Sequence, residues 1–299
     1  MYKQQSVVAI PSSYNISENI EVNSTKTYLR YLQNKGATAV MTTAGTSQFN
    51  LLANKEIHKL NECLVNYFQD GQTILGMPAL STSEACKVAK VAKKYMGANS
   101  YLMTLYPDRF YDQAAIINYV RAIAESSDSP IYLHAQKLRS GTGGDWDYNA
   151  DTINQLYGDG VLVGIKEEHS NLMESYNFVS NLHENIDVIV AGGSMRRFSF
   201  LKSAGANAFV AGIGNLFPQI ENDYILNNSQ KSLQLETQFF DVSMKYGWHY
   251  ALRAGLQYLE LTCFYNREPW PAMNTKASKE IINIIDKISK VTKGKKNDK

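Results

Sequence analysis

The chain has 299 residues, a formal net charge of +2 and 44% hydrophobic residues, material for one large core or two ordinary ones. No apolar run approaches the roughly 20 residues that span a bilayer, and the apolar core of the N-terminal "MYKQQSVVAIPSS" is too short for a signal peptide. On these grounds a soluble protein, cytoplasmic by default, is the expectation. Cys63, Cys86 and Cys263 lack CxxC spacing, so neither a disulfide frame nor a zinc site is suggested and all three read as packing residues. The basic tail "KISKVTKGKKNDK" has no interleaved aromatics and reads as a solvated terminus, so no nucleic-acid partner is expected.

In chain order, short apolar runs recur as "QSVVAIPSS", "ATAVMTTAG", "QTILGMPA", "NSYLMTLYP", "SPIYLHAQ", "VLVGIKE", "DVIVAGG" and "NAFVAGIGN", eight strand candidates separated by amphipathic stretches of helical length. "STSEACKVAKVAKKYMG" opens on a Ser/Thr cap region and closes on Gly97, and "MRRFSFLKSAG" closes on Gly205. Strands that are nearly all apolar need cover on both faces, and eight βα rounds match a closed (β/α)8 barrel. A doubly wound open sheet is the rival, but the GxGxxG turn it usually carries is absent. From "FPQIENDYIL" onward the pattern is helix alone, running through "SLQLETQFFDVSMKYGWHYALRAGLQYLELT", a break at "NREPWPAMN", and "SKEIINIIDKISKV". The expected organisation is an α/β barrel over residues 1–225 and a C-terminal helical extension with a basic tail over 226–299.

In such a barrel the reactive groups lie at the C-terminal ends of the strands. Lys166 is at or near the end of the sixth run and points into the barrel mouth. Apolar walls strip water from an ammonium group and favour the neutral amine, which can attack a carbonyl. The bland alternative is structural pairing with Glu167 or Glu168. The second run ends in Thr42, Thr43, Gly45, Thr46 and Ser47, hydroxyls and open amides suited to a carboxylate. The fifth ends in His134, a candidate proton carrier, followed by "QKLRSGTGGDWD" with Arg139 as a candidate anion fork.

These segments carry a resemblance. "GATAVMTTAGTSQFNLLANKE", "YLMTLYP", "PIYLHAQ", "GIKE" and "AGGSMRRFSFLKSAGANAFVAGIGN" resemble, in order, strand and loop segments of the dihydrodipicolinate synthase and N-acetylneuraminate lyase family, pyruvate-dependent class I aldolases on a (β/α)8 barrel. The resemblance implies that Lys166 forms an imine with a 2-oxo acid, whose carboxylate rests near Thr42 and Thr43. It also implies a homotetramer. Two departures stand out. The family loop GTTGE or GSTGE has lost its acidic residue here, where Ala44, Gly45 and Thr46 stand. The proton-relaying tyrosine of the fifth strand aligns with His134, while Tyr132 is two residues earlier and deeper. Tyr106 matches a family aromatic, but Pro107 replaces its usual tyrosine neighbour, so an intersubunit relay is not supported.

The resulting expectation is a Schiff-base lyase or aldolase acting next to a pyruvate-derived unit. Lys166 is the nucleophile and His134 the proton relay. Thr42, Thr43 and Ser47 seat the carboxylate, Gly192 faces the substrate, and Arg139 and Thr142 touch an aldehyde or imine acceptor. No metal or organic cofactor is required, because the protonated imine is the electron sink. A competing enzyme reading uses "GGSMRR" and "GIGN" as a phosphate site with Arg196 and Arg197 supplying charge. A third is a catalytically silent barrel that binds a keto acid or serves as a scaffold.

Overall fold

A computed structural model describes residues 4–107, 112–136, 148–262, 265–270 and 275–294. Its nine parallel strands are β1 (Gln5–Ser6), β2 (Val8–Ala9), β3 (Ala39–Met41), β4 (Gln72–Gly76), β5 (Ser100–Thr104), β6 (Ile131–Gln136), β7 (Leu162–Glu168), β8 (Asp187–Val190) and β9 (Ala208–Phe209). They pair in the order β1-β9-β8-β7-β6-β5-β4-β3-β2. β1 and β2 are two halves of one extended run, the first pairing with β9 and the second with β3, so the sheet closes on itself. Each of the eight apolar runs read from the sequence supplies one stave, and the (β/α)8 expectation holds.

The staves are separated by α1 (Val22–Asn34), α2 (Asn54–Tyr67), α3 (Thr82–Ala92), α4 (Gln113–Ser127), α5 (Ala150–Gly158), α6 (Leu172–Ser180) and α7 (Ser194–Leu201), and the last is followed by α8 (Pro218–Asn227). Several start where a side chain satisfies a free backbone N–H. Asp112 accepts from the Ala115 N–H at 2.6 Å, Asn149 from Thr152 at 2.7 Å, and Asn171 from Met173 at 2.9 Å. Among the described residues no helix is long and apolar enough to cross a membrane.

The C-terminal helices are α9 (Gln230–Tyr246), α10 (Trp248–Tyr258) and α11 (Thr275–Gly294). The sequence pattern runs through Gly247 without a break, yet the structure divides there into α9 and α10, because Gly247 takes a left-handed φ of +96°. That turn folds the start of α10 over the barrel mouth.

Strand alternation sorts the core into two shells. On β6, Ile131, Leu133 and Ala135 pack outward against the helices, whereas Tyr132 belongs to an inner cluster with Val7, Ala9, Met41, Ile74, Met103 and Ile189. The inward column of β6 is therefore Tyr132, His134 and Gln136, read from floor to mouth. Tyr132 closes the floor: its hydroxyl donates to Asp187 Oδ2 at 2.7 Å and accepts from Gln72 Nε2 at 3.0 Å. Gly164 makes room for that ring, since a Cβ there would lie 2.8 Å from Tyr132 Cε1. Cys63 is buried in the outer shell, Cys86 is half-buried, and both are free thiols.

Candidate active site

The site begins with strand register. His134 on β6 and Lys166 on β7 are directly paired, and Glu168, two residues further along β7, shares the inward face one pleat nearer the mouth. Lys166 Nζ lies 2.8 Å from His134 Nε2, and the same ring nitrogen lies 2.7 Å from Glu168 Oε2. Lys166 Nζ also donates to Glu168 Oε2, closing a triangle of amine, imidazole and carboxylate. His134 and Lys166 are 7% and 5% exposed, so little water screens these contacts.

Burial lowers the pKa of His134, and the neighbouring Lys166 charge pushes it the same way, against the Glu168 carboxylate. The net direction favours the neutral ring. Burial works against ionising Glu168, but the Lys166 ammonium and the His134 hydrogen bond outweigh it and hold the carboxyl well below its usual range.

The triangle opens onto a cavity of about 380 Å³ at the C-terminal ends of the strands. Its near wall includes Thr43, Ala44, Gly45 and Thr46 from the loop after β3, and its far wall includes Gly192 and Ser194 after β8. Gly192 has φ +74°, and a Cβ there would stand 3.0 Å from Glu168 Cγ, so this glycine both permits the turn and leaves space for the carboxylate side chain. Phe240 and Met244 from α9 and Trp248 and His249 from α10 form the roof. The Trp248 ring fills the space beside Gly212 (φ +79°), where a Cβ would be 1.9 Å from Trp248 Cζ2.

The three hydroxyl residues expected to seat a carboxylate separate into different roles. Ala39 and Met41 face into the barrel and Val40 outward, so alternation turns Thr42 outward and Thr43 inward. Thr43 lines the cavity. Thr42 Oγ1 donates to Asn61 Oδ1 at 2.6 Å and accepts the Gly76 N–H at 2.8 Å, tying β3 to α2 and β4. Ser47 Oγ donates to the Ile10 carbonyl at 2.6 Å and accepts the Thr43 N–H at 3.0 Å. Thr42 and Ser47 thus brace the loop, and neither lines the cavity. The N–H groups of Ala44 and Gly45 take no part in these bonds.

Arg139 and Thr142 lie outside the described residues. Arg196 pairs with Asp241 at 2.8 Å, Arg197 is bonded to the buried Glu167, and neither lines the cavity, so the competing phosphate reading loses the charge it needed. Tyr106 packs edge-on against Tyr119 with ring centres 5.2 Å apart. Sequence reasoning treated Glu168 only as a structural partner and missed the roof. The first was legible from its i+2 spacing to Lys166, whereas only the Gly247 turn reveals the second.

A barrel whose mouth holds a buried lysine beside an imidazole has the equipment of an aldolase-type carbon–carbon lyase. The family model described as the dihydrodipicolinate synthetase family matches residues 3–288, and the chain belongs to that family. It is 26% identical over 230 residues to a 4-hydroxy-tetrahydrodipicolinate synthase of Karelsulcia muelleri (strain GWSS), covering 75% of this chain and 74% of the relative. It is 22% identical over 216 residues to a 2-dehydro-3-deoxy-phosphogluconate/2-dehydro-3-deoxy-6-phosphogalactonate aldolase of Saccharolobus solfataricus, covering 72% and 69%. The solved 4-hydroxy-tetrahydrodipicolinate synthase from Methylacidiphilum fumariolicum SolV superposes with a TM-score of 0.82 at 19% identity, covering 97% of each chain, a likeness of fold. This chain is a carbon–carbon lyase of the aldolase type, and the silent-barrel reading gains nothing from relatives named for enzymes.

Proposed function

We propose that Lys166 forms a Schiff base with a 2-oxo acid, pyruvate first among them, and that the enzyme makes or cleaves the carbon–carbon bond next to it. The observation that carries this reading is the Lys166 amine, buried at the end of β7, opening onto a cavity and 2.8 Å from the His134 imidazole. The amine lone pair adds to C2, the carbonyl oxygen leaves as water, and the resulting iminium draws electrons from the bond at C3. His134 carries the protons for these steps. No metal or organic cofactor is needed.

Thr43 and the adjacent N–H groups of Ala44 and Gly45 seat the carboxylate, with Thr42 and Ser47 holding that loop in shape. Gly192 keeps the opposite wall open. Arg139 and Thr142 are assigned to the acceptor, an aldehyde or imine. Residues 226–299 are read as an extension that roofs the barrel, a reading supported by the α9 and α10 side chains at the mouth. A cytoplasmic homotetramer completes the proposal, resting on the family resemblance.

Borohydride reduction with pyruvate, followed by intact-mass and peptide analysis, tests it. The expected result is a pyruvate-derived adduct on Lys166 that is absent from Lys166→Ala. Folded protein that gives no adduct with pyruvate or with a panel of other 2-oxo acids would sink the Schiff-base reading.

A further inference from the structure

We propose that Glu168 is the positioning residue of a His134–Glu168 proton relay, aiming and charge-balancing the ring that serves Lys166. This rests on the Schiff-base reading above and deepens it. The argument starts from what one imidazole nitrogen can do. It carries either a lone pair or a hydrogen, never both. His134 Nε2 faces Lys166 Nζ at 2.8 Å and Glu168 Oε2 at 2.7 Å. An ammonium only donates and a carboxylate only accepts. In the neutral tautomer with its hydrogen on Nδ1, Nε2 accepts from Lys166; once the ring is protonated, Nε2 donates to Glu168. Each protonation state already has its partner in place, so a proton can arrive or leave without reorganising the site.

The fold is shaped for this carboxylate. Its i+2 spacing from Lys166 puts it on the inward face, and the glycine at 192 leaves space for its side chain where a Cβ would press on Cγ at 3.0 Å. Glu167, one residue away, faces outward and is consumed by His169, Ser175 and Arg197.

The relay balances through the reaction. Neutral His134 takes a proton from the Lys166 ammonium, and the freed lone pair forms the N–C2 bond as the carbonyl π bond opens onto oxygen. The protonated ring returns the proton to that oxygen; one of the two protons left on nitrogen then passes through the ring to the hydroxyl, which leaves as water as the nitrogen lone pair forms the C=N bond, giving the iminium. Neutral His134 next removes a C3 proton, and the C–H electrons form C2=C3 as the C=N π pair moves to nitrogen. The products are a neutral enamine and an imidazolium facing Glu168. Without the carboxylate that imidazolium would be a buried, uncompensated cation.

The test uses the full-length enzyme with pyruvate alone, so no acceptor is required. Borohydride trapping reads imine formation, and deuterium exchange at the pyruvate methyl group, followed by NMR, reads C3 proton removal. In Glu168→Gln we expect exchange to fall about 100-fold or more, while the trapped fraction stays within about 3-fold of wild type. The exchange profile should also shift: without the carboxylate His134 holds its proton less tightly, so the acid limb moves to lower pH. Glu168→Asp, which keeps the charge, should recover part of the rate. In a double-mutant cycle the His134→Asn and Glu168→Gln losses should not multiply, because either one dismantles the same relay.

Exchange at the wild-type rate with an unmoved acid limb in Glu168→Gln overturns the proposal. So does an equal loss of trapping and exchange in folded Glu168→Gln and Glu168→Asp, which would leave Glu168 as a tether for Lys166. Absence of any adduct on the wild-type enzyme would instead overturn the Schiff-base reading itself.

Discussion

Two clusters that each join a carboxylate, an imidazole and a basic side chain stand back to back on β7. The inward one is Lys166, His134 and Glu168; the outward one is Glu167, His169 and Arg197, with Ser175. In the outward cluster Glu167 is fully buried and accepts from the His169 N–H at 2.8 Å, His169 Nδ1 at 2.9 Å, Ser175 Oγ at 2.7 Å and Arg197 Nη2 at 3.1 Å. Donors from the residue after β7, from α6 and from α7 thus converge on one carboxylate. Burial opposes its charge, yet the His169 hydrogen bond and the Arg197 guanidinium keep the Glu167 carboxyl below its usual range. The inward cluster shares three polar atoms among fewer partners and opens onto the cavity. A charge saturated with donors and sealed behind a strand is architecture; one left with an open side toward a cavity is available for chemistry.

Breaking the inward cluster should hurt activity most. Lys166→Ala removes the nucleophile and is expected to lower turnover by on the order of 10⁴-fold or more, with the borohydride adduct lost. Its melting temperature should change little, since His134 and Glu168 still pair. Breaking the outward cluster should reverse that pattern. Arg197→Met leaves the Glu167 carboxylate buried without its guanidinium, a cost of about 3–5 kcal/mol, and should lower Tm by roughly 6–10 °C. Trapping at Lys166 in the folded fraction should persist, as thermal melts and peptide mapping on the same samples would establish.

A third buried acid sharpens the comparison because it has no such donor set. Among the described residues neither carboxyl oxygen of Glu236 on α9 has a side-chain partner, and the Met195 backbone favours its charge less than burial opposes it. Burial and the charge of Glu221 push its pKa up to about 8. Its folded-state pKa is above the unfolded value, so the folded protein holds this proton more tightly. The associated stability is complete below about pH 4.5 and is lost as pH rises through about 8. Glu236→Gln, neutral throughout, should be more stable than wild type by about 2–4 kcal/mol at pH 9 and close to it at pH 5. Denaturant melts at the two pH values measure this, and equal curves at pH 9 would mean that the carboxyl ionises without penalty.

The readable part of this molecule is what depends on local alternation. Eight apolar runs identified the staves, and strand-end position turned Lys166 and His134 into the mouth. The same rule could have assigned Glu168 inward, two residues past Lys166. It could not divide Thr42, Thr43 and Ser47 while the end of β3 was unknown, nor could it reveal that Ile10, Asn61 and Gly76 take up the hydroxyls of Ser47 and Thr42, because those partners are distant in sequence. The roof was hidden for a similar reason. Trp248 and His249 reach the mouth through one left-handed glycine at 247 inside an otherwise continuous helical pattern. Periodicity carries no signal for such a turn.

The smallest effect bears on which ring moves protons. Tyr132 shares the inward column of β6 with His134, so a phenol relay two residues away is the natural rival. Register places it at the opposite end of the barrel interior: Tyr132 is level with Gly164, and Lys166 with His134, a separation of about 6–7 Å along the strand. Its hydroxyl is already bonded to Asp187 and Gln72, and burial together with the Asp187 charge raises its pKa well above the ordinary phenol value. Tyr132→Phe should therefore cost about 1–2 kcal/mol through the unpaired Asp187 and Gln72 groups, while methyl exchange of pyruvate stays within about 2-fold of wild type. A fall in exchange matching that of Glu168→Gln would bring the floor phenol into the proton path and remove His134 as the sole carrier. With exchange unchanged and Tm lowered, the two inward rings of β6 divide as the faces of β7 do, one holding the barrel together and the other serving its mouth.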